Sequence, residues 1–199
     1  LRDYRKAELG RVFPSRPGYV FPGTFLRKLG ARLDEDAIVC ADVGQNQIFT
    51  CKYLPQKRGR FLTSGGLGTM GYALPAAIGA KVAQPEKQAV AICGDGSFQM
   101  AMNELSAIAC AGLDIKVILF RNTTLGLVHQ IQNANPYHGS FGVDLDGSPD
   151  FQTIAAAYGI PSRVVLDETQ VDSAIDDLLA QRGSSLTIVN VHPDVTTND

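Results

Sequence analysis

The sequence has no apolar run that approaches the roughly 18 residues of a membrane span, so no helical anchor is expected in it. Its first twenty residues scatter arginines without an apolar core, and no signal peptide is expected there. Charge of one sign is also missing. A formal net charge of −2 gives no general attraction to nucleic acid or to an anionic membrane. The basic clusters in 2–16 and 56–60 read as solvated surface. Cys40, Cys51, Cys93 and Cys110 show no CxxC spacing, which argues against a redox pair or a thiolate metal site. They read as reduced, mostly buried small hydrophobes, and the cytoplasm is the expected compartment. Tryptophan is absent altogether, and no repeat or low-complexity tract occurs.

What is present is an ordinary globular composition, 45% hydrophobic and 19% charged over 199 residues, enough for one well-buried domain. Residues 1–18 are charged and carry prolines without periodicity, and read as a lead-in or linker to a domain spanning 19–199. Beyond them, strand-like apolar runs alternate with helical ones. Helices are expected over 22–33, 67–82, 99–111, 125–131, 150–158 and 168–181. The helix over 150–158 is expected to be capped by Ser148 or Asp150. Strands are expected over 37–41, 60–63, 88–93, 115–120, 162–166 and 186–191. A polar loop fills 133–148. This alternation predicts an α/β fold, a doubly wound parallel sheet with helices on both faces. In such a sheet ligands sit at the carboxyl ends of the strands.

Asp95 stands between Gly94 and Gly96 at the end of the apolar run 88–93, with Ser97 next. Asn122 follows the apolar run 115–120, and Thr124 lies two residues on. Neighbouring parallel strands that end this way place a carboxylate and an amide oxygen at one edge. With the Thr124 backbone carbonyl they offer three hard oxygens and leave room for phosphate oxygens and water. That set suits Mg²⁺, which prefers octahedral oxygen coordination and often shares its shell with a diphosphate. The glycines let backbone approach phosphate, and a helix start adds free N–H groups. The pattern points to a magnesium diphosphate site.

A second glycine cluster admits another reading. Gly66, Gly68 and Gly71 form GxGxxG after a short strand, and Asp95 lies where a ribose-binding acid could fall. A Rossmann-type NAD(P) oxidoreductase domain would follow. Against it, an acid flanked by glycines suits a phosphate site better, and Asn122 has no task in that reading. Close packing of a helix on the sheet would explain the glycines alone.

Four stretches carry a family resemblance: DVGQNQ at 42–47, TSGGLGTMGYALPAAIGA at 63–80, GDGSFQM at 94–100 and RNTTLGLVHQIQ at 121–132. In order and spacing they resemble the C-terminal, thiamine-diphosphate-binding domain of acetolactate synthases, the large subunits of acetohydroxyacid synthase. The resemblance implies that Asp95, the Asn122 amide oxygen and the Thr124 carbonyl bind Mg²⁺. It implies that Gly44, Gln45, Asn46, Gly96, Ser97, Leu125 and Gly126 line the diphosphate, with Val43 and Gly94 also among the cofactor-binding residues. Gly68 would offer its carbonyl to the pyrimidine amino group, Met70 would prop the cofactor into its bent shape, and Leu127 and Val128 would flank its reactive end. The bend brings the amino group to the thiazolium carbon, and the cofactor takes up the electrons left when CO₂ departs.

The implied activity is decarboxylation of pyruvate and transfer of the two-carbon unit to a second 2-oxoacid, within branched-chain amino acid biosynthesis. A 2-oxoacid decarboxylase or oxidase of the same family is the alternative. A remnant that keeps the fold without chemistry is disfavoured by the intact ligand set. Arg121 replaces the first of the family's two asparagines, while the metal-binding second one, Asn122, is kept. Ile131 stands where biosynthetic members place a tryptophan, which implies pyruvate as acceptor as well as donor. The family's catalytic glutamate belongs to an N-terminal pyrimidine-binding domain of a partner subunit. Glu8, Glu35, Glu86, Glu104 and Glu168 match no such motif. The chain is therefore expected to be an incomplete, inactive part of a longer enzyme, or of a split-subunit one. A homodimer or tetramer is implied, and FAD, where the whole enzyme uses it, belongs outside this domain. His129, His138, His192 and Arg163 read as surface or packing residues, and Met100 and Met102 as core.

Overall fold

The computed structural model describes residues 16–55, 57–134 and 139–199. Most of the expected lead-in, and His138, lie outside the described residues. Six strands form one sheet in the order β2-β1-β3-β4-β6-β5, every pair parallel. They are β1 (Ile38–Ala41), β2 (Arg60–Thr63), β3 (Ala89–Gly94), β4 (Ile115–Arg121), β5 (Ser162–Val165) and β6 (Ser185–Asn190). The helices are α1 (Pro22–Arg32), α2 (Gln45–Tyr53), α3 (Ala73–Ala83), α4 (Asp95–Gln99), α5 (Leu105–Cys110), α6 (Gly126–Asn133), α7 (Phe151–Ala157) and α8 (Val171–Ala180).

Strand periodicity divides the interior in two. Val39, Val90, Ile92, Ile118 and Phe120 point into one core, which α1, α2 and α8 close with Phe25, Leu29, Phe49, Tyr53 and Ile175. Their strand neighbours Cys40, Ala91, Cys93, Val117 and Leu119 point into the other. There Leu74 and Ala77 of α3, Leu105 and Ile108 of α5, and Phe151 of α7 cover the sheet. Burial on both faces explains why the central strands read as continuous apolar runs rather than alternating ones. The chain leaves β1 toward β2 on one side and returns to β3 on the other. The crevice between β1 and β3 is therefore the topological switch point.

Several boundaries differ from the sequence expectation. Residues 67–72 are not helical: α3 starts at Ala73, because Gly68 and Gly71 hold φ of +65° and +85°, outside helical space. The stretch 99–111 is broken into the end of α4, a 3₁₀ turn at Met102–Glu104 and α5. Ala101 at φ −134°, ψ 11° interrupts it. Helix α2 was not expected at all, since it lacks an apolar stripe and buries the polar Gln45, Asn46 and Thr50. Asp150, not Ser148, caps α7, its carboxylate accepting from Gln152 N–H at 2.9 Å.

None of the four cysteines is in a disulfide, but only Cys40 and Cys93 are buried; Cys51 and Cys110 lie on exposed helix positions. Burial pushes the Cys40 thiol up to about 12 and the Cys93 thiol well above its usual range, so both stay protonated. Met100 is exposed rather than in the core, whereas Met102 packs against it. Among the described residues no helix is long and apolar enough to cross a membrane.

Candidate functional site

The carboxyl ends of β1, β3 and β4 meet in one cleft of roughly 620 Å³, part of it open to solvent. Val43, Gly44, Gln45 and Asn46 reach it from β1 and the start of α2, and Gly94, Asp95, Gly96 and Ser97 from β3 and α4. Asn122, Thr124, Leu125, Gly126, Leu127 and Val128 enter from β4 and α6, and Met70 from the glycine-rich loop. Of the cofactor- and metal-binding residues that the resemblance implies, only Gly68 lies outside the lining, on an exposed part of that loop. Pro22, Phe49, Phe120 and Val191 also line the cleft. No motif marks them, because they are core residues whose outer edges happen to reach it.

Asp95 is buried, 2% exposed, and three backbone amides aim at it. Oδ1 accepts from Gly96 N–H at 2.9 Å; Oδ2 accepts from Asn122 N–H at 3.1 Å and Thr123 N–H at 2.7 Å. Burial raises its pKa from 3.8 to about 6 despite those amides. Among the described residues no lysine, arginine or histidine forms an ion pair with it. A buried carboxylate with amide donors and no cation is a site that gains from a metal ion.

The Asn122 side chain lies beside it. Its Oδ1 accepts from Thr124 N–H at 3.2 Å and its Nδ2 donates to Gln45 Oε1 at 3.3 Å. Thr124 is fixed by an antiparallel bridge to Asp144 and by its hydroxyl, which donates to Val143 O at 3.1 Å. Among the described residues no group of three or more His, Cys, Asp or Glu side chains is placed to hold a metal ion. A metal here would have to draw on amide and carbonyl oxygens besides Asp95, the hard donor set that suits Mg²⁺.

Asp42, the first residue of the DVGQNQ stretch, anchors the site's other wall. It is fully buried; Oδ1 accepts from Val43 N–H and Gly71 N–H, and Oδ2 from Ala73 N–H, each at 2.9 Å. Burial raises its pKa, and the amides from Ala73, Val43 and Gly71 partly offset that. The carboxylate thus ties the end of β1 to the loop that carries Met70. An acid immediately after an apolar strand was the available signal.

A wider groove abuts the cleft and shares Gln45 and Gly126 with it, lined also by His129, Gln130, Ile131 and Val195. Ile131 itself is 64% exposed and does not reach the cleft. None of the described glutamates lines the cleft; Glu168 instead accepts from Phe21 N–H at 2.9 Å, at the start of α1. His192 packs edge-on against Tyr19, and Arg163 pairs with Asp177.

Residues 42–189 match the family described as thiamine pyrophosphate enzyme, C-terminal TPP binding domain. The chain is 38% identical over 167 residues to the acetolactate synthase isozyme 1 large subunit of Escherichia coli (strain K12), covering 83% of this chain and 30% of that protein. It is 42% identical over 158 residues to the acetolactate synthase large subunit of Lactococcus lactis, covering 79% and 27%. The acetolactate synthase catalytic subunit, mitochondrial, of Aspergillus candidus is 40% identical over 190 residues, covering 94% and 26%. The matched part thus spans under a third of the length of these relatives.

Proposed function

Since the chain belongs to the thiamine pyrophosphate enzymes, as their C-terminal cofactor-binding domain, we propose that it holds the Mg²⁺-diphosphate end of thiamine diphosphate in an acetolactate synthase-like enzyme. That enzyme decarboxylates pyruvate and transfers the two-carbon unit to a second 2-oxoacid. The observation that carries the reading is Asp95, a buried carboxylate without a cation, beside Asn122 on the neighbouring strand end. A dinucleotide reading leaves Asn122 without a task. It also leaves unexplained why the GxGxxG loop is tied by Gly71 and Ala73 to Asp42.

In this reading Asp95, Asn122 Oδ1 and the Thr124 carbonyl hold Mg²⁺, and the segments 43–46, 94–97 and 125–126 receive the diphosphate. When bound, the cofactor supplies the electron sink for loss of CO₂ from the 2-oxoacid. Met70, Leu125, Leu127 and Val128 give the cleft an apolar wall that excludes water from the reacting end. Among the described residues no glutamate lines the cleft to hold a proton at the pyrimidine ring. That task falls to the N-terminal domain of a partner subunit, in a homodimer or tetramer. A cytoplasmic site, a place in branched-chain amino acid biosynthesis and pyruvate as acceptor belong to the same proposal.

The test is product analysis on the full-length protein supplied with pyruvate, thiamine diphosphate and Mg²⁺. Acetolactate with CO₂ supports the reading. Acetaldehyde or acetate as the dominant product assigns the chain to a decarboxylase or oxidase instead.

A further inference from the structure

Gln45 makes a connection that its place in the cleft lining does not require. Its Oε1 accepts from Asn122 Nδ2 at 3.3 Å, while its Nε2 donates to the Val195 main-chain carbonyl at 2.8 Å and to Gln130 Oε1 at 3.2 Å. Val195 lies in the segment after β6 that folds back over the start of α2 and one side of α6. Thr197 N–H donates to Gln130 Oε1 at 2.9 Å, and Thr197 O accepts from Lys52. Val195 and Thr197 are both buried.

The direction of these bonds is forced. A main-chain carbonyl can only accept, so Val195 obliges Gln45 to turn its NH₂ toward the segment and its oxygen toward Asn122. A main-chain N–H can only donate, so Thr197 fixes Gln130 with its oxygen toward Gln45. Gln45 Oε1 then obliges Asn122 to turn its NH₂ toward Gln45, which leaves Oδ1 on the opposite side, where Thr124 N–H also points. A carboxamide rotated by half a turn would present NH₂, a donor, to a cation.

We propose that Gln45 is a positioning residue for the metal ligand Asn122, and that the segment around Val195 and Thr197 sets it. The segment acts through the Val195 carbonyl and the Thr197 N–H, with the Thr197 hydroxyl also bonded to Gln130, and neither residue lines the cleft. This rests on the magnesium reading above, and partners of this kind behind a metal ligand affect affinity by about 10-fold or more.

The test measures Mg²⁺ affinity by calorimetry, and Mn²⁺ by electron paramagnetic resonance, in the full-length protein with thiamine diphosphate present. A Val195→Gly/Thr197→Gly double variant strips the side chains that seat the segment. It is expected to lose about tenfold in metal affinity. Asn122→Asp supplies the decisive background, because a carboxylate has no amide to orient. There the same double substitution should no longer weaken metal binding. Should the double variant fail to fold by circular dichroism, Gln130→Leu, which releases Thr197, replaces it.

Metal affinity within twofold of the parent, or an equal loss in the Asn122→Asp background, overturns the proposal. Asp95→Ala separates the two levels. If it retains metal-dependent binding, the magnesium reading fails; if it abolishes binding while the segment variants behave like the parent, only the role of Gln45 fails.

Discussion

Thr123 donates its backbone N–H to Asp95 Oδ2 at 2.7 Å from a left-handed conformation, φ +56°. Among the described residues it is the only non-glycine residue with positive φ. A β-branched residue is costly there, on the order of 1 kcal/mol or more. The strain sits on the turn that links Asp95 to Asn122 and Thr124. Thr123→Asn, which tolerates this region, should raise the stability of the metal-free protein by about 0.5–1 kcal/mol. Metal-dependent cofactor binding should be unchanged. Urea unfolding compared with calorimetry checks both halves.

Gly126 is required by contact rather than by conformation. A methyl group on it would stand 2.2 Å from Gln45 Oε1 and 2.7 Å from Asn122 Nδ2. Gly126→Ala should cost about 1–3 kcal/mol as overpacking and weaken metal-dependent binding at least tenfold. Gly79→Ala is the matched control. Its added methyl meets nothing within 4 Å in the exposed face of α3, so it should gain about 0.5–1 kcal/mol and leave binding alone.

Removing the Asp42 carboxylate leaves the Val43, Gly71 and Ala73 amides without their acceptor in a buried place. Asp42→Ala should destabilise by about 2–4 kcal/mol. Asp42→Asn keeps one acceptor and should lose less. In both, the loop carrying Met70 is loosened, so hydrogen exchange at Gly71 and Ala73 should rise more than at amides of β4. Equal protection in parent and variants would contradict the anchoring role.

Asp95 gives the metal-free protein a pH signature. Its folded pKa, about 6, lies above its ordinary 3.8, so between these values the folded state holds more protons than the unfolded one. Stability from this group is present at low pH and is lost as pH rises through about 6. The gap corresponds to roughly 3 kcal/mol. Asp95→Asn should therefore gain on the parent as pH is raised from 4 to 7, while Mg²⁺ with thiamine diphosphate closes the difference for the parent only. Thermal unfolding across that range reads the effect.

The sheet and the meeting of Asp95 with Asn122 were legible because both depend on strand order and strand ends. Apolar runs such as 88–93 and 115–120 are buried on two faces, and their register follows. Helix α2 was not legible. Its Gln45, Asn46 and Thr50 are buried because they hydrogen-bond to main-chain atoms of Val195, Asp42 and Asn46, partners remote or unmarked in sequence. The loop before α3 was misread for a related reason. Its glycines, read together with the alanines of α3, look helical until Asp42, 29 residues earlier, claims the Gly71 amide. Met100 was expected inside, yet the short α4 ends just before it and leaves it 59% exposed.

The most direct test of the central claim is calorimetric titration of thiamine diphosphate into the full-length protein, with and without Mg²⁺, beside Asp95→Ala and with NAD as a control ligand. The account predicts saturable binding that needs Mg²⁺, disappears in Asp95→Ala and has no counterpart for NAD. Binding that ignores Mg²⁺ and survives the substitution, or binding of NAD in its place, would contradict it.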